Sequence, residues 1–544
     1  MKRVLFSAIM ILLLMSSGCL KAQTFQDTPV LPYQTNASPL FGKDIVIHDM
    51  PDRDQRNVAV CSAFNGWLYA AYYYTTEPGG HPAIVMMKSV DKGISWTVLW
   101  DSSLPVTNSK FSSIKLLTTG NSIADLKLFM ATMCKNDYYM DIGEGMVIRY
   151  NGETGEYENG IIDKMDIYDI TIASDLQYPS STSNTLGILY SQYSNTGDSI
   201  IFCSSSNGGL SIDSRHAIAI TGSHPHKVSL AFGRSQSWNS GRYFAAWEEK
   251  DDYGSVPGRI YTAHTDPNFN SSFTAPVNLD GIDPANANLC RNPVIACQYN
   301  NVDNDSSNLT EIVLFDKFDE STQRDEVKGY YNLQATSHTN YKKLNIPDFL
   351  LNGLQPDICF NPFDSTFMMT YFDSTEKKLP FLVNNYNLRN PSQWNVISSG
   401  YNDSTNLTSP YPKVNLDFEQ HKGINVWSSD QITGDGIAMF DAQYSTWTGV
   451  SENNTTDGAR LLKAFPNPCS TVVTICFELG KAEKVSISLY NMVGQPEGVI
   501  TDQNYSSGKH YVNCNVSNLP QGSYYYTFKA GACNSGGKII VIRE

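Results

Sequence analysis

Charge is scarce in this 544-residue chain. Asp, Glu, Lys and Arg make up 17% of it, the net charge is −15, and histidines number nine. No basic run occurs, so the contacts that displace counterions from phosphates have no source, and no nucleic-acid partner is expected. Apolar runs are short throughout. The longest stands at the N-terminus and falls below the roughly 20 residues of a membrane-spanning helix, so no transmembrane segment is expected. Helical periodicity is rare, which argues against an α-helical fold. No Cys-x-x-Cys occurs, and Cys290 and Cys297 stand too far apart for one zinc knuckle. Gly-x-Ser-x-Gly, His-Glu-x-x-His and phosphate-loop patterns are missing as well, which removes common signatures of serine hydrolases, zinc peptidases and nucleotide enzymes. Nothing calls for a cofactor or a metal, and no catalytic residue is assigned.

The N-terminus has the layout of a secretory signal peptide. Met1-Lys2-Arg3 is basic, Val4 to Met15 is apolar, and Ser16, Ser17 and Gly18 are small. Residues 1–22 are read as the leader, with cleavage after Ala22. Cys19 leaves open lipid modification at an alternative cleavage site, although Ser16 stands where such sites favour a larger aliphatic residue. Export makes disulfides accessible to the ten cysteines after Ala22. Cys61, Cys203, Cys297 and Cys359 lie in apolar strand patterns, where a buried free thiol competes with a bridge.

Short alternating runs separated by Gly, Asn, Asp and Pro dominate, the pattern of strands and turns. One strand type recurs as Val58–Cys61, Ile114–Leu117, Ile170–Ala173, Val228–Ala231, Val294–Cys297, Ile358–Phe360 and Val414–Asp417, with starts 56 to 66 residues apart. Each copy is followed by a second strand ending in aromatics, such as Leu68–Tyr72, Tyr243–Trp247, Phe367–Tyr371 and Ile424–Trp427. Most have a third apolar strand, such as Ala83–Met87. A period of this size matches the larger propeller blades. One unit cannot bury both its faces, and radial packing buries them all. The expectation for residues 23–448 is an all-β, seven-bladed propeller, alternatively six-bladed, with an open two-sheet arrangement as the competing architecture. The last copy lacks an outer strand, which Asp44–His48 can supply to close the ring.

In the first copy the third strand runs into Ser89-Val-Asp91-Lys-Gly93-Ile-Ser95-Trp96. This resembles the Asp-box, Ser-x-Asp-x-Gly-x-Thr-Trp, of the bacterial neuraminidase (BNR) repeat. A weaker version, Ser205-Ser-Asn207-Gly-Gly209-Leu-Ser211, stands in the third copy and lacks the Trp. Asp accepts backbone N–H bonds in such a turn and Gly supplies a positive φ. The resemblance therefore implies a structural motif between outer strands of a propeller. Sialidases also carry an Arg-Ile-Pro, an arginine triad, a Tyr–Glu pair and an Asp acid. Here the closest string to Arg-Ile-Pro is Arg259-Ile260-Tyr261, which reads as an ordinary strand. Arg53, Arg149, Arg234 and Arg291 are scattered.

Other chemistry reads blandly. His224 and His226, two apart, could face a metal from a strand, but a solvated loop is the expectation. Asp303 and Asp305 suit a polar turn. Glu248, Glu249, Asp251 and Asp252 are expected in a solvated loop.

Thr446 to Arg460 loses the strand pattern, and 449–460 is a polar linker. Residues 461–544 alternate with period two and predict a small Ig-like β-sandwich. Phe465-Pro466-Asn467-Pro468, Leu489-Tyr490-Asn-Met-Val-Gly494, Gly508-Lys-His-Tyr-Val512, Leu519-Pro-Gln-Gly522-Ser-Tyr524 and Gly537-Lys538-Ile-Ile-Val-Ile-Arg543 follow one another in order. Together they resemble the type A C-terminal sorting domain of the type IX secretion system of Bacteroidetes. Cys469, Cys476, Cys514 and Cys533 depart from its pattern. The resemblance implies the outer-membrane secretion translocon as partner and a secreted or cell-surface location. For the propeller, non-enzymatic binding of a glycan or protein ligand is the expectation. A sialidase-like glycoside hydrolase and a structural surface protein are the alternatives.

Overall fold

The computed structural model describes residues 41, 44–48, 50, 53–75, 83–103, 109–136, 143–175, 185–194, 197–221, 224–234, 241–250, 258–265, 273–279, 290–299, 309–319, 323–333, 340–344, 353–384, 394–403, 406–430, 436–443, 460–465, 469–491, 495–531, 533–541 and 543. The 1–22 leader, residues 449–459 of the linker, Asp303, Asp305, and Pro466, Asn467, Pro468 and Gly494 of the sorting blocks lie outside them. Among the described residues there is no α-helix, and none is long and apolar enough to cross a membrane. The chain divides into two compact units, Met1–Gln443 and Tyr444–Glu544.

The first unit is built of five four-stranded sheets and one seven-stranded sheet. Asp54–Ser62, Leu68–Thr75, Ala83–Ser89 and Thr97–Ser103 form an antiparallel meander. The seven-stranded sheet runs from Ser109–Thr119 to Ser214–Thr221, and its long strand Tyr157–Ser174 is the last of one meander and the first of the next. Meanders starting at His224–Gly233, Cys290–Cys297 and Gly353–Asn361 follow. The final sheet holds Lys413–Asp417, Lys422–Asp430 and Gly436–Ala442, and its outer strand comes from the other end of the chain. Ile45–Val46 pairs antiparallel with Gly436–Ala442, Ile45 opposite Phe440. The segment expected to close the ring does so.

The leading strands of successive meanders pack on one another, and the last packs on the first. Thr118 Oγ1 donates to Ser62 O at 2.5 Å, Val228 N to Asp169 Oδ2 at 3.1 Å and Ile295 N to Ser229 Oγ at 3.1 Å. Across the closure Asn415 Nδ2 donates to Val60 O at 2.9 Å and Ser62 Oγ to Leu416 O at 2.6 Å. This is a β-propeller.

Radial packing explains why the second strand of each meander reads as a continuous apolar run. Glu311–Asp319, Thr366–Asp373 and Lys422–Asp430 are buried along nearly their whole length, because a sheet covers each face. The aromatics of these second strands are the bulk of the core: Trp247, Trp427, Tyr69, Tyr72, Tyr190, Tyr243 and Tyr371 are among the largest fully buried side chains. Each large apolar side chain so buried contributes about 1.5–3 kcal/mol.

The second unit is a sandwich. One sheet holds Arg460–Phe465, Val472–Leu479 and Gly508–Asn515; the other holds Pro496–Tyr505, Glu483–Asn491, Gly522–Ala530 and Cys533–Val541. Val473, Ile475 and Phe477 of the first meet Val485, Ile487, Phe528, Ile539 and Val541 of the second in one core. The alternating residues face out, as period-two patterning requires.

Candidate functional site

The leading strands of the propeller do not start straight. Their pairing registers shift between Arg56 and Ala59, Phe111 and Ser113, Pro225 and Val228, Arg291 and Val294, and Leu354 and Asp357. Asn57, Asn292 and Gln355 at these bulges adopt φ of 52°, 54° and 53°. A bulge turns backbone N–H groups out of the ladder, and carboxylates on neighbouring strands collect them. Asn292 N donates to Glu248 Oε2 at 3.0 Å, and Gln355 N to Asp316 Oδ1 at 2.7 Å. Asn292 Nδ2 also reaches Asp316 Oδ2 at 2.7 Å. Asp357 Oδ2 takes Val414 N at 2.9 Å, and Asp430 takes Arg56 Nη1 at 2.7 Å and Thr408 N at 2.7 Å. Asp316 is fully buried, and burial pushes its carboxyl up to about 7 against the Asn292 amide, Arg291 and the Gln355 N–H. Glu311, also buried, is pushed by desolvation to about 8, with the Tyr341 hydroxyl and Asn332 amide facing it.

Glu248 and Glu249 thus belong to the strand Arg242–Lys250 and not to a solvated loop, and Glu248 is 1% exposed. Adjacent strand residues face opposite ways: Glu248 turns to Asn292 and Lys250, while Glu249 accepts from Trp247 Nε1 at 2.8 Å. Asp251 and Asp252 lie outside the described residues.

His224 and His226 also sit in a strand, the start of His224–Gly233. They meet residues of the preceding meander. Asp198, 4% exposed, accepts from Tyr168 Oη at 2.9 Å and from Ser194 N at 2.9 Å, and lies 2.5 Å from His224 Nδ1. The rings of His226 and Tyr193 lie 5.0 and 6.2 Å from that of Tyr168. Two imidazoles and two phenols around one buried carboxylate therefore gather where two leading strands begin, with His224, His226 and Tyr193 partly open to solvent. Such a group can stack on a ring and exchange hydrogen bonds with hydroxyls. Among the described residues no group of three or more His, Cys, Asp or Glu is placed to hold a metal ion.

The scattered arginines have separate partners. Arg53 lies over the Tyr74 ring, Arg149 pairs with Glu158, Arg234 with Asp175, and Arg291 with Asp325. Arg259-Ile260-Tyr261 is part of the strand Arg259–His264.

Ser89, Asp91, Gly93 and Trp96 form a closed turn. Ser89 Oγ donates to Asp91 Oδ1 at 2.8 Å and accepts from Gly93 N at 2.8 Å; Ser95 N and Oγ donate to the Asp91 carboxylate at 2.9 and 2.6 Å. Burial opposes ionisation of Asp91, but these bonds outweigh it and hold its carboxyl below the usual range. Gly93 has φ 85°, and a Cβ there would meet the Phe440 ring at 2.1 Å. Trp96 packs edge-on against the same ring at 5.3 Å. Ser205, Asn207 and Gly209 repeat the arrangement: Gly209 N donates to Ser205 Oγ at 3.0 Å, and Ser211 N to Asn207 Oδ1 at 3.1 Å. Gly209 presses on Ile161 and Phe129 of the preceding meander. A third turn was missed from sequence. Asn151 Oδ1 accepts from Glu153 N and Thr154 N at 2.9 and 3.0 Å, and Gly155, φ 73°, presses on Leu99. It lacks the opening Ser and the closing Trp, and only Asn-x-x-x-Gly was there to find.

In the sandwich, Tyr490 pairs across strands with Tyr525, Gly522 with Val541, and Lys538 with Tyr525. Tyr524 Oη donates to Pro520 O at 2.9 Å. Gly508, φ 115°, opens the strand Gly508–Asn515. The Arg543 guanidinium donates to the carbonyls of Ser470, Val516, Ser517 and Leu519.

No curated protein matches the chain. Among solved structures, it is similar to an α-L-arabinofuranosidase from Fusarium graminearum (10% identity, TM-score 0.44, 74% of this chain and 98% of that one). It is similar also to an α-L-arabinanase from Penicillium chrysogenum (11%, 0.43, 74% and 98%) and to a protein of unknown function from Dyadobacter fermentans (11%, 0.42, 74% and 99%). Likeness at that level carries no argument about activity. Residues 463–542, by contrast, match the secretion system C-terminal sorting domain, and this part of the chain marks the protein as one exported by the type IX route to the cell surface or beyond.

Proposed function

We propose that the exported propeller is a non-enzymatic binding module for a glycan or protein ligand, and that it has seven blades. The blade count is supported by the long strand Tyr157–Ser174, which joins two four-stranded meanders into the one seven-stranded sheet. The turns at Ser89–Trp96 and Ser205–Ser211 are Asp-boxes in a structural role, since their polar atoms close on themselves and their glycines press on the neighbouring blade. The C-terminal sandwich is Ig-like.

The observation that carries the binding reading is the half-open ring cluster of Tyr168, Tyr193, His224 and His226 at one end of the propeller. The acids Glu248, Asp316 and Asp430 are occupied in joining blades. The mature chain on a glycan array, beside fluorogenic sialoside and hexoside hydrolysis assays, tests this. Saturable binding without turnover, weakened by Tyr193→Ala or His226→Ala, is expected. Turnover makes the protein a glycoside hydrolase; silence in both assays, with a protein-binding screen also blank, leaves a structural surface role.

A further inference from the structure

The blocks that mark the sorting domain are spread over the sequence from Pro466 to Arg543, yet strand register brings most of those described to one end of the sandwich. Val472 pairs with Asn515, Thr471 O accepts from Val516 N, Tyr524 is opposite Asn491, and Gly522 is opposite Val541. A bridge between Cys469 and Val541 joins the two sheets there. The starts of Val472–Leu479 and Gly522–Ala530 therefore share an end with the finishes of Glu483–Asn491, Gly508–Asn515 and Cys533–Val541. Tyr490, Gly522, Tyr524 and Arg543 lie at or beside it. Gly508 stands at the far end, opposite Leu479.

Arg543 holds this end together. Its side chain, past the last strand, donates to four carbonyls from two loops, Ser470 on one side and Val516, Ser517 and Leu519 on the other. A planar fork with five donors can serve four acceptors at once; a lysine ammonium, with three donors on one atom, cannot. Both Nη atoms of the guanidinium are engaged by the fold.

The two ends also differ in charge. Lys481, Glu483, Lys484, Asp502, Lys509 and Lys529 cluster at the far end, with Lys484 and Asp502 paired at 3.1 Å. At the near end Ser470, Thr471, Asn515, Ser517, Asn518 and Gln521 are exposed beside Val472 and Pro520, and the charged residues are fewer: Glu497, Arg543, and Lys538 on the strand row of Tyr490.

We propose that the export machinery reads the sorting domain at this hydroxyl- and amide-rich end, through a protein surface of matching neutral hydrogen-bonding groups, and that Arg543 is an internal latch that positions it. This rests on the reading of the domain as an export signal. The test is the full chain produced in a bacterium with a working type IX system, with the periplasmic and external fractions measured. Asn518→Lys with Gln521→Lys is expected to lower external protein by at least about tenfold, as an unmatched charge in an interface should. Lys484→Glu with Lys509→Glu at the far end is expected to leave export within about twofold, as rim or non-contact charges do. Both pairs are exposed, and limited proteolysis of the retained protein reports whether the sandwich is folded. Arg543→Lys, which keeps the charge, is expected to be retained. Normal export of the near-end pair or of Arg543→Lys, or equal loss from the far-end pair, overturns the proposal. Retention of the parent chain overturns the export reading itself.

Discussion

Asp316 and Glu311 are the two carboxyls whose surroundings most oppose their charge. Both lie in the strand Glu311–Asp319, covered by a sheet on each side. Desolvation raises Asp316 from 3.8 to about 7 and Glu311 from 4.5 to about 8. The sign of the linkage follows. Below the lower values both states hold the proton and pH has no leverage. Between the unfolded and folded values the unfolded chain ionises while the folded one keeps its proton, so stability falls as pH rises; above the folded values the loss is complete. Asp316→Asn removes one such proton. Its melting temperature relative to the parent is expected to move upward between pH 4 and pH 8, as scanning calorimetry at both values will show. A difference that is flat with pH would mean that Asp316 is ionised in the folded propeller at both. These residues were not legible in the sequence. The strand announces itself by Ile-Val-Leu-Phe, but nothing in the chain tells that Asp316 faces Asn292 and Gln355 of two different blades. Glu248 departs from the expected solvated loop for the same reason: four acids within five residues suggest solvent, and only the bulge N–H of Asn292, 44 residues on, explains why one is buried.

At the scale of elements the repeat was far more legible, because burial on both faces forces a continuous apolar second strand in every blade, and seven such strands can be found by eye. The missing outer strand and its replacement by the segment at Asp44–His48 followed from counting strands. What holds that graft was hidden. Gln55, fully buried at the start of the first blade, donates from Nε2 to His48 O at 3.0 Å and accepts from Ala438 N at 2.9 Å. One amide thus ties the N-terminal strand, the last blade and the first. Gln55→Ala takes the acceptor from the buried Ala438 N–H and a donor from the half-buried His48 carbonyl, and the unsatisfied N–H sets the expected loss at about 1–3 kcal/mol. Urea denaturation followed by tryptophan fluorescence measures it. A change below 1 kcal/mol would show that water or a shifted side chain replaces the amide.

The whole molecule is exported to an oxidising environment, yet the cysteines described are unbridged. Cys61, Cys203, Cys290, Cys297, Cys359, Cys469, Cys476 and Cys514 are free, and all but Cys359 are buried. Desolvation pushes the thiols of Cys61, Cys297 and Cys359 upward, which keeps them protonated and poor nucleophiles. They behave as small apolar side chains: Cys61 packs in the core with Ala59, Tyr69 and Ile114, and Cys297 with Phe244, Leu309 and Val313. The propeller is large enough not to need crosslinks, since each blade buries both faces and the ring closes on a strand from the N-terminus. Reductant is therefore expected to leave the melting temperature of the mature chain unchanged, and the seven buried thiols are expected to react with a thiol reagent only after denaturation. A single native bridge would contribute roughly 2–4 kcal/mol, enough to lower the transition by several degrees when reduced. Such a drop would place part of the stability in cysteines that the packing of the blades leaves separate.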